Sequence, residues 1–196
     1  LNAFLYASIL CLIGLLILLQ FNLITIILGM VSMILACAYP FMKRFTYWPQ
    51  LFLGLTFNWG IIMGWTSIMD SLSIEPFVLY IAAIFWTLGY DTIYGLQDIR
   101  DDEIIGIKST SIKFKNNPKI FVGACYSLCV LFILILFFVM KIDKYFLLLS
   151  TFFVSTLVYQ IKIFKINNSS SCLIAFKLNN ITGIFVFLLI FSLSVL

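Results

Sequence analysis

Seven apolar stretches, each about as long as a bilayer-crossing helix, divide this chain, and nearly all of its charge lies between them. They run at 2–20, 22–40, 51–69, 77–95, 120–140, 145–161 and 178–196. Most reach the roughly 20 residues that a hydrocarbon core demands of a helix; the 145–161 stretch is the shortest and is expected to lie steep or to be slightly longer than drawn. Composition agrees: 63% of residues are hydrophobic and 10% charged, against about 45–50% and about 25% in soluble domains. A barrel strand would alternate apolar and polar positions over about 10 residues, and no such alternation occurs. The expected fold class is all-α, a polytopic transmembrane helical bundle of about seven helices.

The basic residues orient that bundle. The loops after the second, fourth and sixth stretches hold Lys43 and Arg44; then Arg100, Lys108, Lys113, Lys115 and Lys119; then Lys162, Lys165 and Lys177. Only Lys141 and Lys144 of the twelve basic residues fall on the other side. Loops rich in Lys and Arg stay in the cytoplasm, so these three are expected to be cytoplasmic. The net charge of +4 follows from that asymmetry and calls for no nucleic acid. A bacterial inner membrane is the expected location, with a mitochondrial inner membrane as the alternative.

The acidic residues are more concentrated still. Asp91, Asp98, Asp101, Asp102 and Glu103 make up most of the chain's eight, and they close the fourth stretch. Ionisable groups near bilayer depth are costly and mark function by default. If the fourth helix continues to about residue 102, then Asp91, Tyr94, Asp98 and Asp102 form one stripe along it. Asp98 and Asp102 are then a DxxxD pair one turn apart. Such carboxylates repel and raise each other's pKa, and Mg²⁺ relieves the repulsion while keeping sites for phosphate oxygens and water. The alternative is a solvated helix end whose charges are met by Arg100 and nearby lysines. Lys43, Arg44, Arg100, Lys108 and Lys113 approach from the same side, and carboxylates beside cations describe a metal–diphosphate site.

Other features carry less. The first loop is bounded by Pro40 and Pro49, which are expected to stop the flanking helices. The Asn167–Ser171 segment is expected to be a plain connector, and the short turns around Asp70–Pro76 and Lys141–Lys144 have no assigned role. The chain contains no His, which removes the commonest zinc ligand and general base. Cys125 and Cys129 share a helix face and are expected to be small packing residues; Cys11, Cys37 and Cys172, like them, carry no functional argument. Gly54, Gly60 and Gly64 are expected to permit close helix packing, or else to leave room for an isoprenoid chain.

Two blocks resemble the UbiA-type membrane prenyltransferases. One is Tyr39-Pro40-Phe41-Met42-Lys43-Arg44-Phe45-Thr46 with Trp48-Pro49-Gln50, running to Gly54 and Phe57-Asn58-Trp59-Gly60. The other is Tyr90-Asp91-Thr92-Ile93-Tyr94 with Gln97-Asp98-Ile99-Arg100-Asp101-Asp102 and Gly106-Ile107-Lys108-Ser109-Thr110; Ala175-Phe176-Lys177-Leu178-Asn179-Asn180 is a weaker echo. That family has nine helices and two aspartate-rich motifs. The resemblance implies that this chain corresponds to helices three to nine and carries the second motif at Asp98 and Asp102. Leu1 opens the chain in mid-apolar segment, so residues 1–196 are expected to be a single prenyltransferase domain lacking its N-terminal part, with no counterpart of the first motif.

The implied reaction is transfer of a polyprenyl group from polyprenyl diphosphate to the ring of 4-hydroxybenzoate, towards ubiquinone. The implied cofactor is Mg²⁺ on Asp98 and Asp102. Asp91 would orient or deprotonate the aromatic substrate. Arg44 would meet the benzoate carboxylate or the diphosphate. Lys43, Tyr94, Arg100 and Lys108 would line the substrate site. The competing expectations are a catalytically inactive fragment of such an enzyme and a transporter that uses Asp91 and Asp98 as relay sites.

Overall fold

The computed structural model describes residues 2–140, 144–166 and 168–194. Leu1, residues 141–143 of the turn expected before the sixth stretch, Asn167 of the expected connector and residues 195–196 at the end of the seventh stretch lie outside them. The described helices are α1 (Asn2–Leu18), α2 (Leu23–Phe45), α3 (Pro49–Phe57), α4 (Gly60–Met69), α5 (Ile74–Gly95), α6 (Ile99–Ile105), α7 (Thr110–Lys113), α8 (Pro118–Met140), α9 (Lys144–Ile163), α10 (Ser169–Lys177) and α11 (Asn179–Ser194). Six spans are long and apolar enough to cross a membrane: α2, α3 with α4, α5, α8, most of α9, and α10 with α11. The apolar segment Ala3–Leu18 is shorter. The all-α polytopic bundle is therefore observed, with the seven apolar segments in the expected order.

Four departures matter for the site. Pro40 does not stop its helix, because α2 runs through it to Phe45. Tyr39 and Lys43 consequently stand one turn apart on one helix face. Pro49 opens α3 at its first position, where a missing N–H is harmless. The fourth apolar stretch does not continue as one helix to residue 102: α5 ends at Gly95, Leu96 caps it, and α6 starts after Asp98. The last span begins at Ser169 rather than 178, so Lys177 lies inside it and not in a loop.

Helix breaks within an apolar solvent must find hydrogen-bond partners inside the protein, and here they do. Between α3 and α4, the Asn58 amide donates to the Gly54 carbonyl at 2.9 Å, the Ala83 carbonyl at 3.3 Å and Thr87 Oγ1 at 2.8 Å. The Tyr80 hydroxyl donates to the Leu55 carbonyl at 2.7 Å, and Trp59 Nε1 to the Leu28 carbonyl at 3.0 Å. At the start of α2, Asn22 caps the Thr25 N–H and donates to the Thr66 carbonyl, while the Thr25 and Thr66 hydroxyls meet at 2.9 Å.

The core is built around α5 and α8, which pack along most of their length. Gly89 makes the approach possible: a Cβ there would lie 2.3 Å from Cε1 of Tyr126. Tyr126 cannot swing away, because its hydroxyl donates to the buried Gln160 of α9. Around this contact lie Ile93, Val122, Cys129, Ile133, Phe137, Phe146, Phe153 and Leu157. Cys125 and Cys129 are buried free thiols, as their expected packing role requires; Cys172 is buried too, whereas Cys11 and Cys37 are exposed. Gly54 also fits the close-packing expectation, since a Cβ would come within 3.2 Å of the Ile84 backbone, whereas Gly60 and Gly64 face open space.

Gly89→Ala should therefore destabilise the α5–α8 pair by about 1–3 kcal/mol, the usual penalty of overpacking. Gly123→Ala, with nothing within 4 Å, should be neutral or stabilising. Denaturant unfolding in mixed micelles tests the contrast; equal stability of the two variants would contradict it.

Candidate functional site

The expected stripe of acidic residues reaches one pocket by a bent route. A cavity of about 160 Å³ is lined by Tyr39 and Lys43 of α2, Gln50 of α3, Asp91, Tyr94 and Gly95 of α5, Asp98 in the α5–α6 turn, Asp102 of α6, and Ser109. The break after Gly95 separates α6 from α5, yet Asp98 and Asp102 still line the same space as Asp91. Arg44, Arg100 and Lys108 do not line it.

The loop after α6 closes the pocket. Gly106 adopts a left-handed conformation (φ 78°), which glycine takes without strain, and Ile107 N–H returns to the Asp102 carbonyl at 3.0 Å. The chain then lies back on α2 and α3. Lys108 N–H donates to the Lys43 carbonyl at 2.9 Å, and Thr110 N–H donates to the Gln50 side-chain oxygen at 3.0 Å. Thr110 and Thr92 share a hydrogen bond of 2.7 Å, and the Ser111 hydroxyl donates to the Thr92 carbonyl at 2.8 Å. Gly95 has no room for a larger residue, because its Cβ would lie 2.5 Å from Ser111 Oγ. Gln50, Thr92, Ser109, Thr110 and Ser111 are all buried, so this stitching is a rigid element rather than a surface loop.

Charge is distributed unevenly over these parts. Lys108 reaches back to the Phe45 carbonyl at 3.4 Å and stands over the Tyr47 ring. Lys113 sits 4.5 Å above the Trp48 ring, and Lys115 pairs with Glu103 at 2.6 Å. That pair is the single ion pair among the described residues, and it is exposed enough to contribute little. Asp91, Asp98 and Asp102 have neither an ion pair nor a side-chain hydrogen bond among the described residues. Lys43 is the cation that shares their pocket. Burial holds the Asp102 carboxyl above its ordinary value of 3.8; Lys43 lowers it in part, and Asp98 and Asp101 raise it again.

This donor set suits a divalent cation that arrives with its own ligands. Among the described residues, no three Asp, Glu, Cys or His side chains form a preassembled metal cage. Mg²⁺ needs none, since it binds through one or two carboxylates plus phosphate oxygens and water. Asp98 and Asp102, which line one pocket, could supply two, and their mutual repulsion is a penalty that such an ion would relieve.

Sequence reasoning passed over Tyr39, Gln50 and Ser109 as site residues. Tyr39 becomes visible once α2 is carried through Pro40, one turn before Lys43. Gln50 carried a signal as a polar residue heading an apolar helix.

Fold and pocket together describe a polytopic helical membrane protein with an acidic, cation-flanked cleft near one end of the bundle. The chain belongs to the UbiA prenyltransferase family, whose profile matches residues 1–181. It is 40% identical, over 91% of its length and 39% of the relative's, to the Dictyostelium discoideum protein named 4-hydroxybenzoate polyprenyltransferase, mitochondrial. It is 50% identical to the Arabidopsis thaliana protein of the same name, over 56% of this chain and 27% of the relative. The chain thus spans between 27% and 39% of the length of these relatives. The apo structure of a UbiA homolog from Aeropyrum pernix K1 superimposes with a TM-score of 0.70 at 18% identity, over 87% of this chain and 66% of that one. The fold is shared.

The raised Asp102 pKa has a definite sign. Its stabilising contribution is fully present below the unfolded value and is lost as pH rises through the higher folded one. Carbon-13 NMR of labelled aspartate should show Asp102 titrating above 3.8, moving down in Asp98→Asn and down again on adding Mg²⁺. Titration at or below 3.8 with no response to Mg²⁺ would contradict the metal assignment.

Proposed function

We propose that this protein transfers a polyprenyl group from polyprenyl diphosphate to the ring of 4-hydroxybenzoate, a step towards ubiquinone. The observation that carries the proposal is the pocket in which Asp98 and Asp102 face Lys43 without protein ion pairs. The relatives' names support the substrate pair.

In this reading Asp98 and Asp102 hold Mg²⁺, which when bound neutralises diphosphate charge and eases its departure. Lys43 donates to non-bridging phosphate oxygens as a point charge. Arg44 and Arg100, exposed beside the pocket, draw the anionic substrate towards it. Lys108 acts through the loop it pins across Phe45 and Tyr47. The allylic C–O bond breaks as diphosphate leaves, and a C–C bond forms ortho to the phenol oxygen. The ring then loses its proton. Asp91, deeper in α5, orients the phenol or accepts a proton, and Tyr94 walls the space between donor and acceptor. The 196 residues act as part of one transmembrane prenyltransferase domain, with the pocket facing the side that carries most of the basic residues. The mitochondrial relatives support a mitochondrial inner membrane over a bacterial one.

Membranes carrying the protein, supplied with 4-hydroxybenzoate, labelled polyprenyl diphosphate and Mg²⁺, should form prenylated product. Asp98→Ala or Asp102→Ala should lower the rate by about 10² or more, the scale of losing a charge-stabilising group, while membrane insertion is unchanged. Near-normal turnover in both variants would overturn the proposal.

A further inference from the structure

α8 and α9 touch at two places and leave a furrow between them. Towards the basic end of the bundle the Tyr126 hydroxyl donates to Gln160; towards the other end the Phe137 and Phe146 rings stack at 4.4 Å. A groove of about 570 Å³ opens in the interval, walled by Ile133 and Leu134 of α8 and by Val154, Val158 and Tyr159 of α9. Its hydroxyl groups are already engaged. Those of Ser150, Thr151 and Ser155 donate to the Leu147, Leu148 and Phe152 carbonyls of their own helix, at 2.8, 2.6 and 2.7 Å. The furrow is therefore apolar, and it lies between two candidate membrane spans, Pro118–Met140 and Phe146–Ile163.

Two observations say what covers it. The first is length. From Ser150 to Lys162 the groove follows α9 for about 18 Å at 1.5 Å per residue, and half of a hydrocarbon core is about 15 Å. It thus runs through one leaflet, and Lys162 stands at its mouth, one residue before the span ends. The second is charge. Lys165 follows just beyond α9, and Lys119 at the start of α8 lies 5.4 Å over the Phe164 ring. All three lysines are exposed, and none has an ion pair among the described residues. From residue 104 onward the sequence holds one acidic residue, Asp143, which comes before α9 begins at Lys144. These cations have no carboxylate on their own helices to meet.

We propose that the groove holds one acyl chain of an anionic phospholipid whose phosphate meets Lys162, with Lys165 and Lys119 beside it. Lysine stems lie along apolar surface while their ammonium groups rise to the headgroups, and basic pockets between transmembrane helices are seats for anionic lipids. Tyr159, with no hydrogen bond among the described residues, brings its hydroxyl one helical turn below Lys162. The lipid bridges α8 and α9 between their two contacts. No residue lines both this groove and the acidic pocket, so the site stands apart from the chemistry and does not depend on the prenyl-transfer reading.

The protein in a neutral detergent, titrated with phosphatidylglycerol or with phosphatidylcholine of the same acyl chains and weighed by native mass spectrometry, tests this. One phosphatidylglycerol should bind about tenfold or more tightly than phosphatidylcholine, the scale of a hydrogen bond to a charged group. Lys162→Gln should weaken it about fivefold, the scale of one lysine at an anionic surface, and Lys162→Gln/Lys165→Gln should weaken it further. Lys144→Gln, an equal charge change at the other end of α9, should stay within about twofold on the scale of distant charges. Ser155→Trp, which fills the groove and touches no charge, should lower binding at least as much as Lys162→Gln. Equal affinity for the two lipids, full affinity in the double lysine variant or in Ser155→Trp, or a protein dimer in place of the lipid would overturn the proposal. So would one-for-one displacement of the phospholipid by polyprenyl diphosphate, which would give the groove to the prenyl donor.

Discussion

Hydrocarbon offers no hydrogen bonds, and the functional architecture of this chain follows from how it breaks helices in that solvent. Each interruption of a span exposes backbone groups that water cannot satisfy. Asn58, Tyr80 and Trp59 close the break between α3 and α4. Gly106, Gln50 and the Thr92–Thr110 pair close the folded-back segment after α5. Asn179 and Gln160 close the break between α10 and α11. The acidic pocket lies at such a break, because a straight helix presents only a surface, whereas a broken and recapped one presents a corner.

The electrostatic design is one of deliberate non-pairing. Lys108, Lys113 and Lys115 are held by a carbonyl, an aromatic ring and Glu103, which withdraws them from the carboxylates nearby. Asp98, Asp102 and Lys43 have no ion pair among the described residues and, on the proposed reading, meet charge that arrives from outside. Charges satisfied internally would have nothing left to offer a metal or a diphosphate.

Much of this was legible in the sequence, and the failures have physical causes. Segment number, order and helical class followed from hydropathy alone, since a span of about 20 apolar residues has few alternatives. The grouping of Asp91, Tyr94, Asp98 and Asp102 was also legible, although a single straight helix was the wrong device for it. Periodicity sees side-chain spacing and not the break at Leu96, which depends on long-range bonds from Thr110 and Ser111 to α3 and α5. Pro40 misled because its local rule assumes that the lost hydrogen bond ends the helix; α2 continues for five more residues. Lys177 was read as a loop residue because charge usually marks a membrane boundary. Here it falls within the Ser169–Ser192 span, because α10 carries that span back to Ser169.

The central claim is that Asp98 and Asp102 form one pole of a metal–diphosphate site. Pulsed electron paramagnetic resonance of Mn²⁺ bound to the protein in nanodiscs, with a slowly reacting prenyl thiodiphosphate, addresses it directly. The account predicts hyperfine coupling between Mn²⁺ and phosphorus that disappears in the Asp98→Asn/Asp102→Asn double variant. Unchanged Mn²⁺ binding in that variant, or a bound ion without phosphorus coupling, would contradict it.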